Sequence, residues 1–174
     1  MLICGYEVLM KTIKEIHNKQ HLFNNLISKV REIVSGSPDT NNALLAICKL
    51  LKDNISYYDW VGFYLIDKSV KRELVLGPFI GEPTEHIRIP FGKGICGQAA
   101  ERKTAFVVLD ISKETNYLAC SLKVKSEIVI PILKKGEILG ELDIDSHTLS
   151  AFTEEDKQFL EKVCEIISEP KVAG

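Results

Sequence analysis

The 174-residue chain has no apolar run near the roughly 20 residues that would span a bilayer. An excess of one charge is equally lacking: 22 basic residues stand against 24 acidic ones, a net charge of -2. Nothing there attracts nucleic acid or an anionic membrane surface, so neither is expected as a partner. No CxxC or HxxxH spacing occurs, which argues against the common structural zinc sites, and no metal is expected. The opening stretch "MLICGYEVLM" lacks the basic start and the small-residue cleavage site of a secretory leader. Five cysteines (Cys4, Cys48, Cys96, Cys120 and Cys164) are an odd number, scattered along a chain long enough to bury its own core. They argue against a disulfide framework and for reduced thiols, and a cytoplasmic protein is expected.

What is present is an ordinary globular composition, 45% apolar and 26% charged, in a length that suits one domain. Residues 1–20 are expected as an N-terminal extension and helix start, 21–169 as the domain and 170–174 as a tail. Ile13, Ile16, Leu22, Leu26, Ile27 and Val30 recur at helical spacing and predict a helix over 11–34. A second helix is expected from Ser37 as N-cap and Pro38 in the first turn, with Leu44, Ile47, Cys48 and Leu51 inward. Alternation in "WVGFYLID" predicts a strand with Trp60, Gly62, Tyr64 and Ile66 on one face. "RELVLGPFIG" and "TAFVVLD" read as further strands, "ICGQAAERK" as a short helix, and "SEIVIPILKKGEILGELDIDS" as a hairpin turning at 134–136. Thr153 with Asp156 suggests a capping box for a last helix that buries Phe159, Leu160, Val163, Cys164 and Ile167. This order implies an α+β fold, a central antiparallel sheet flanked by helices on at least one face.

Several residues could carry chemistry. Glu141, Asp143 and Asp145 share one strand face, and Glu127 can join them from the neighbouring strand. A solvated outer face is the ordinary account of such a pattern. Acids converging in a cleft would instead have raised pKa values, donate a proton and bind an ammonium group. Trp60 and Tyr64 either pack under a helix or wall a pocket. The glycines at 92, 94 and 97 follow no phosphate-loop spacing and read as turn and close-approach positions. Cys48 and Cys164 fall on apolar stripes and read as core. Cys96, in the turn, is the better candidate for an accessible thiol. Cys120 ends a loop with Lys123 and Lys125 nearby; a cation would favour the thiolate, while solvated lysines would do nothing. His86 and His147 are expected near the functional end, and His17 and His21 on the surface.

Taken together, "DWVGFYLID", "ELVLGPFIG", "RIPFGKGICGQAA", "NYLACSLKVKSEIVIPI" and "GELDIDS" followed by "FTEEDKQFLE" resemble the free methionine-R-sulfoxide reductases, which use a GAF fold. The resemblance spans residues 22–167 in unbroken order. It implies a GAF-like domain in which Cys120 is the nucleophile on the sulfoxide sulfur and Trp60 and Tyr64 surround the methylthio end. Glu127, Asp143 and Asp145 would hold the ammonium group and protonate the leaving oxygen. Cys96 matches a second family cysteine. The chain departs from the pattern at His86, ten residues before Cys96, where the family usually has a resolving cysteine. It departs again at Ser121, where an acid is common.

The implied function is reduction of free L-methionine-(R)-sulfoxide through a sulfenic acid on Cys120. That acid would be resolved by Cys96 or directly by an external thiol. No bound cofactor is expected, only a thioredoxin-like reductant. The oligomeric state is open between monomer and homodimer. Two alternatives remain: a non-catalytic GAF sensor that binds a small molecule, and a peroxide- or thiol-sensing protein that uses Cys120 without methionine sulfoxide.

Overall fold

A computed structural model describes residues 2–118 and 121–169. The expected α+β class is what the chain adopts. Six antiparallel strands form one sheet: β1 (Trp60–Ile66), β2 (Glu73–Ile80), β3 (Arg88–Pro90), β4 (Phe106–Val108), β5 (Ser126–Lys134) and β6 (Glu137–Ser146). Their order across the sheet is β3-β2-β1-β6-β5-β4, so β1 and β6 lie at its centre. The strand β3 was not anticipated. It is three residues long and pairs only with β2, too short to show an alternation. Between β5 and β6 the turn residues Lys135 and Gly136 both have positive φ, as a two-residue hairpin turn requires.

Four helices cover the sheet: α1 (Leu2–Gly36), α2 (Thr40–Asn54), α3 (Gly94–Arg102) and α4 (Glu154–Ser168). The first is longer than its periodicity suggested, and its two halves differ. Phe23, Leu26 and Val30 are buried in the main core, whereas Met10, Ile13 and Ile16 are exposed. The second helix starts later than expected. Ser37 N–H still bonds Ile33 at the end of α1, and Asp39 is the N-cap, its carboxylate accepting from Asn42 N–H at 3.0 Å. Proline at 38 has no amide to offer and precedes the cap instead of following it.

One face of the sheet carries the main core. Val61 and Phe63 of β1, Ile128, Ile130 and Ile132 of β5, and Leu142 and Ile144 of β6 pack against α1, α2 and α4. Each fully buried side chain of this kind contributes about 2 kcal/mol relative to exposure. Phe23 and Phe159 stack at 4.2 Å to join α1 to α4. The buried stripe of α4 includes Ile166, with Ile167 half-buried.

A polar knot ties the same helices. Asp156 caps α4 by accepting from the Thr153 N–H at 2.8 Å, and the capping box is complete. It also accepts from Lys19 of α1 and from Tyr57, both at 2.7 Å, and from Tyr58 at 3.1 Å. Cys48 and Cys164 are buried in this layer, as their spacing implied. Among the described residues, no helix is long and apolar enough to cross a membrane. The opposite face of the sheet is covered by α3 and the loops around it, and holds a second, smaller cluster.

Candidate active site

Alternation along β6 sends Leu142 and Ile144 into the main core and Glu141, Asp143 and Asp145 to the α3 face. The acids do not form a solvated outer face: all three are buried, and so is Glu127 of β5. Register brings them together. Asp145 lies opposite Glu127 on one side and Trp60 on the other, Asp143 opposite Val129 and Gly62, and Glu141 opposite Pro131 and Tyr64. The covering helix α3 and its loops supply the burial.

Trp60 and Tyr64 belong to this face. The Trp60 ring stacks on Phe79 at 5.4 Å and on Tyr64 at 6.4 Å, and its indole N–H donates to the Glu82 carbonyl at 3.1 Å. The Tyr64 hydroxyl donates to the His86 carbonyl at 2.8 Å. Gly62 makes the arrangement possible, because a Cβ there would collide with the six-membered ring of Trp60.

Cys96 is not the accessible thiol its turn-like surroundings suggested. The helix already begins at Gly94, and Cys96 points from its first turn onto the sheet, 5% exposed beside Ile95, Ala99 and Ala100. The glycines do act in turn and close approach. Gly92 and Gly94 have positive φ, and a Cβ at Gly97 would strike the Pro90 carbonyl. The Cys96 thiol donates to Glu127 Oε1 at 3.9 Å, a long contact even for sulfur.

The acid cluster is electrostatically loaded. The carboxylate oxygens of Glu141, Asp143 and Asp145 accept no hydrogen bond of ordinary geometry among the described residues. Burial pushes Asp143 up to about 7, with the nearby Cys96 thiol and Ile144 amide drawing it part of the way back. Burial also holds Glu127, Glu141 and Asp145 well above the usual carboxylate range. The negative charge of Asp143 adds to the rise at all three. Glu141 belongs to the cluster, although the resemblance assigned it nothing.

The mouth of the site lies at the end of β1 and β6. Asp59, Trp60, Glu82, Ser121, Asp145 and His147 line a cavity of about 20 Å³ there. Glu82 forms an ion pair with Lys123, and Ser121 donates to Glu82 at 3.4 Å. His147 sits at this rim as expected, its backbone N–H donating to Asp59 Oδ2 at 2.7 Å. His86 is brought close through its backbone, not by an assigned side-chain role. Cys120, the expected nucleophile, lies outside the described residues. Of the other expected site residues, Trp60, Tyr64, Glu127, Asp143 and Asp145 share one sheet face, and Cys96 of α3 points onto it. Asp59, Phe79 and Glu82 were missed. Their placement depends on pairings such as Asp59 N–H to the Asp145 carbonyl, which no local spacing reveals.

The GAF domain family matches residues 39–169. GAF domain-containing protein A of Dictyostelium discoideum is 36% identical over 150 residues, covering 86% of this chain and 92% of that protein. The free methionine-R-sulfoxide reductase of Saccharomyces cerevisiae is 35% identical over 156 residues, 87% of this chain and 86% of the yeast protein. Among solved structures, free methionine-R-sulfoxide reductase from Neisseria meningitidis in complex with its substrate superposes with a TM-score of 0.79. It is 36% identical and covers 84% of this chain and 86% of its own.

Proposed function

This chain belongs to the GAF domain family and, within it, to the free methionine-R-sulfoxide reductases, and from that membership we propose that it reduces free L-methionine-(R)-sulfoxide to methionine. The observation that carries the proposal is the buried cluster of Glu127, Glu141, Asp143 and Asp145 beside Trp60 and Tyr64. Buried carboxyls that have no cationic partner among the described residues suit a cationic ligand, and stacked rings beside them suit an apolar, polarisable one. A free amino acid whose side chain ends in a methyl sulfoxide has both.

Cys120 is the attacking thiol in this scheme. Its sulfur bonds to the sulfoxide sulfur, the sulfoxide oxygen passes to the cysteine, and methionine leaves with its sulfur reduced. The products are methionine and the Cys120 sulfenic acid, so the two electrons come from the protein thiol. Glu127, Asp143 and Asp145 hold the ammonium group, and a protonated member of the cluster donates to the sulfoxide oxygen as negative charge builds on it. Trp60 and Tyr64 enclose the methylthio end.

Cys96 is suited to the second step. It lies buried beside Glu127, with little access for a substrate, so it is not assigned the first attack. It can still condense with a sulfenic acid, forming a Cys96–Cys120 disulfide and releasing water. A thioredoxin-like dithiol then reduces the disulfide, and no bound cofactor is needed. Direct reduction of Cys120 by an external thiol is the alternative route, since His86 stands where the usual resolving cysteine would be.

The test is single-turnover methionine release from the free R-sulfoxide, the free S-sulfoxide and a peptide-bound sulfoxide. Release from the free R form alone, lost in Cys120→Ser, is expected. Release from none of the three by folded, reduced protein would overturn the proposal. Peptide mass mapping after one turnover then separates a Cys96–Cys120 disulfide from direct reduction.

A further inference from the structure

Four buried carboxyls, were all of them ionised, would carry more negative charge than one ammonium group neutralises. An ammonium brings a single positive charge and three N–H donors. Glu141, Asp143 and Asp145 alone present six buried oxygens that accept no hydrogen bond of ordinary geometry among the described residues. The balance is met by protons or by a more highly charged cation.

The second observation comes from a different element. Cys96 Sγ, a Glu127 oxygen and an Asp143 oxygen all lie within 4.8 Å of one another, delivered by α3, β5 and β6 respectively. All three side chains are buried. A tetrahedral zinc ion, with bonds of about 2.3 Å to sulfur and about 2.0 Å to oxygen, spaces its ligand atoms roughly 3.3 to 3.5 Å apart. The contact from Cys96 Sγ to Glu127 Oε1, at 3.9 Å, is already close to that. Side-chain rotations of about an ångström would close the rest.

Ligand chemistry selects the ion. One thiolate with two carboxylates is a borderline set that suits zinc-like divalent ions. Calcium and magnesium require six or more oxygen ligands or a shell of retained water, which a buried thiol does not provide. The spacing rules that gave no expectation of a metal could not see this set, because its members lie 31 and 47 residues from Cys96 in sequence.

We propose that Cys96, Glu127 and Asp143 form a site for a zinc-type divalent cation in the reduced, substrate-free protein, and that this ion competes with methionine sulfoxide. The location of that competition rests on the reductase reading above; the metal site itself does not. Binding transfers the Cys96 proton to solvent and changes no oxidation state. The ion fills the place of the ammonium group and ties up the thiol assigned to the second step.

The test uses full-length, reduced, chelator-treated protein without substrate, with cobalt(II) as the probe. Equilibrium dialysis should give one cobalt per chain, accompanied by an ultraviolet thiolate-to-cobalt charge-transfer band. Zinc should abolish the band and magnesium should not. Cys96→Ser should lose the band, and Glu127→Gln and Asp143→Asn should each weaken binding at least about tenfold. Cys120→Ser should change neither, and a single cooperative thermal transition would show that each variant folds. Absence of stoichiometric binding, or a band that survives in Cys96→Ser, would overturn the site. Methionine release is assayed separately with chelator present. Cobalt binding without any release defeats the reductase reading alone, and release without cobalt binding defeats the metal site alone.

Discussion

Asp145 of β6 stands directly opposite Glu127 of β5, and both carboxyls are buried on the face beneath α3. Opposed like charges destabilise a sheet, and burial adds a desolvation cost. Asp145→Asn should therefore raise the melting temperature by about 3 to 6 °C while lowering kcat/KM for the free R-sulfoxide about 100-fold. Calorimetry and steady-state kinetics on the same preparation check both halves. A destabilised variant with full activity would contradict the assignment.

Asp156 behaves in the opposite way. Burial raises its pKa, but Lys19, Tyr57 and the Thr153 amide outweigh that and hold it below the ordinary aspartate value. Its contribution to stability is full above the unfolded-state pKa of about 3.9 and is lost as pH falls through the lower folded value. Asp156→Asn should cost about 2 kcal/mol at neutral pH and less at strongly acidic pH. Urea melts of the two proteins at pH 7 and in acid should converge as pH falls. A constant difference would rule the linkage out.

Trp60 is the only tryptophan in the chain, so intrinsic emission reports on the site alone. Gly62→Ala should displace its ring, shift the emission maximum and reduce kcat/KM at least about tenfold. Stability should fall by about 1 to 3 kcal/mol, as for other overpacked positions. Emission indistinguishable from the parent protein would show that the ring tolerates a methyl group at 62.

The cavity of about 20 Å³ at the mouth has room for about one water, not for an amino acid. Glu82 lines this cavity and is paired with Lys123, so entry of substrate is expected to break that pair. Glu82→Gln should speed substrate association about two- to fivefold and leave the melting temperature unchanged. Stopped-flow measurement of Trp60 emission gives the rate, and slower association would refute a gating role.

Much of this was legible in the sequence where a short-range period governs the outcome. The acids of β6 and the rings of β1 were placed on their faces by a period of two, and the Thr153–Asp156 capping box by a spacing of three. What stayed hidden depends on distant pairing. Whether Glu141, Asp143 and Asp145 face water or a covering helix is decided by α3, some 40 residues earlier in the chain. The same helix turned Cys96 from a turn thiol into a buried one. Asp39 displaced Ser37 as a cap because its carboxylate reaches Asn42, a contest between neighbours that residue preference alone does not decide.

The alternation of β6 also limits how the protein can change. Its odd-numbered acids line the site and its even-numbered leucine and isoleucine fill the core, on one interior strand bonded on both sides. Inserting or deleting a single residue midway along that strand would exchange the two sets beyond the lesion, putting carboxyls into the oily layer and aliphatics into the pocket. A folded but misregistered enzyme is therefore not a viable intermediate between variants. Length changes must accumulate in the connecting loops, so new specificities can arise at the mouth around Glu82 and Ser121 while the floor of the pocket stays constant.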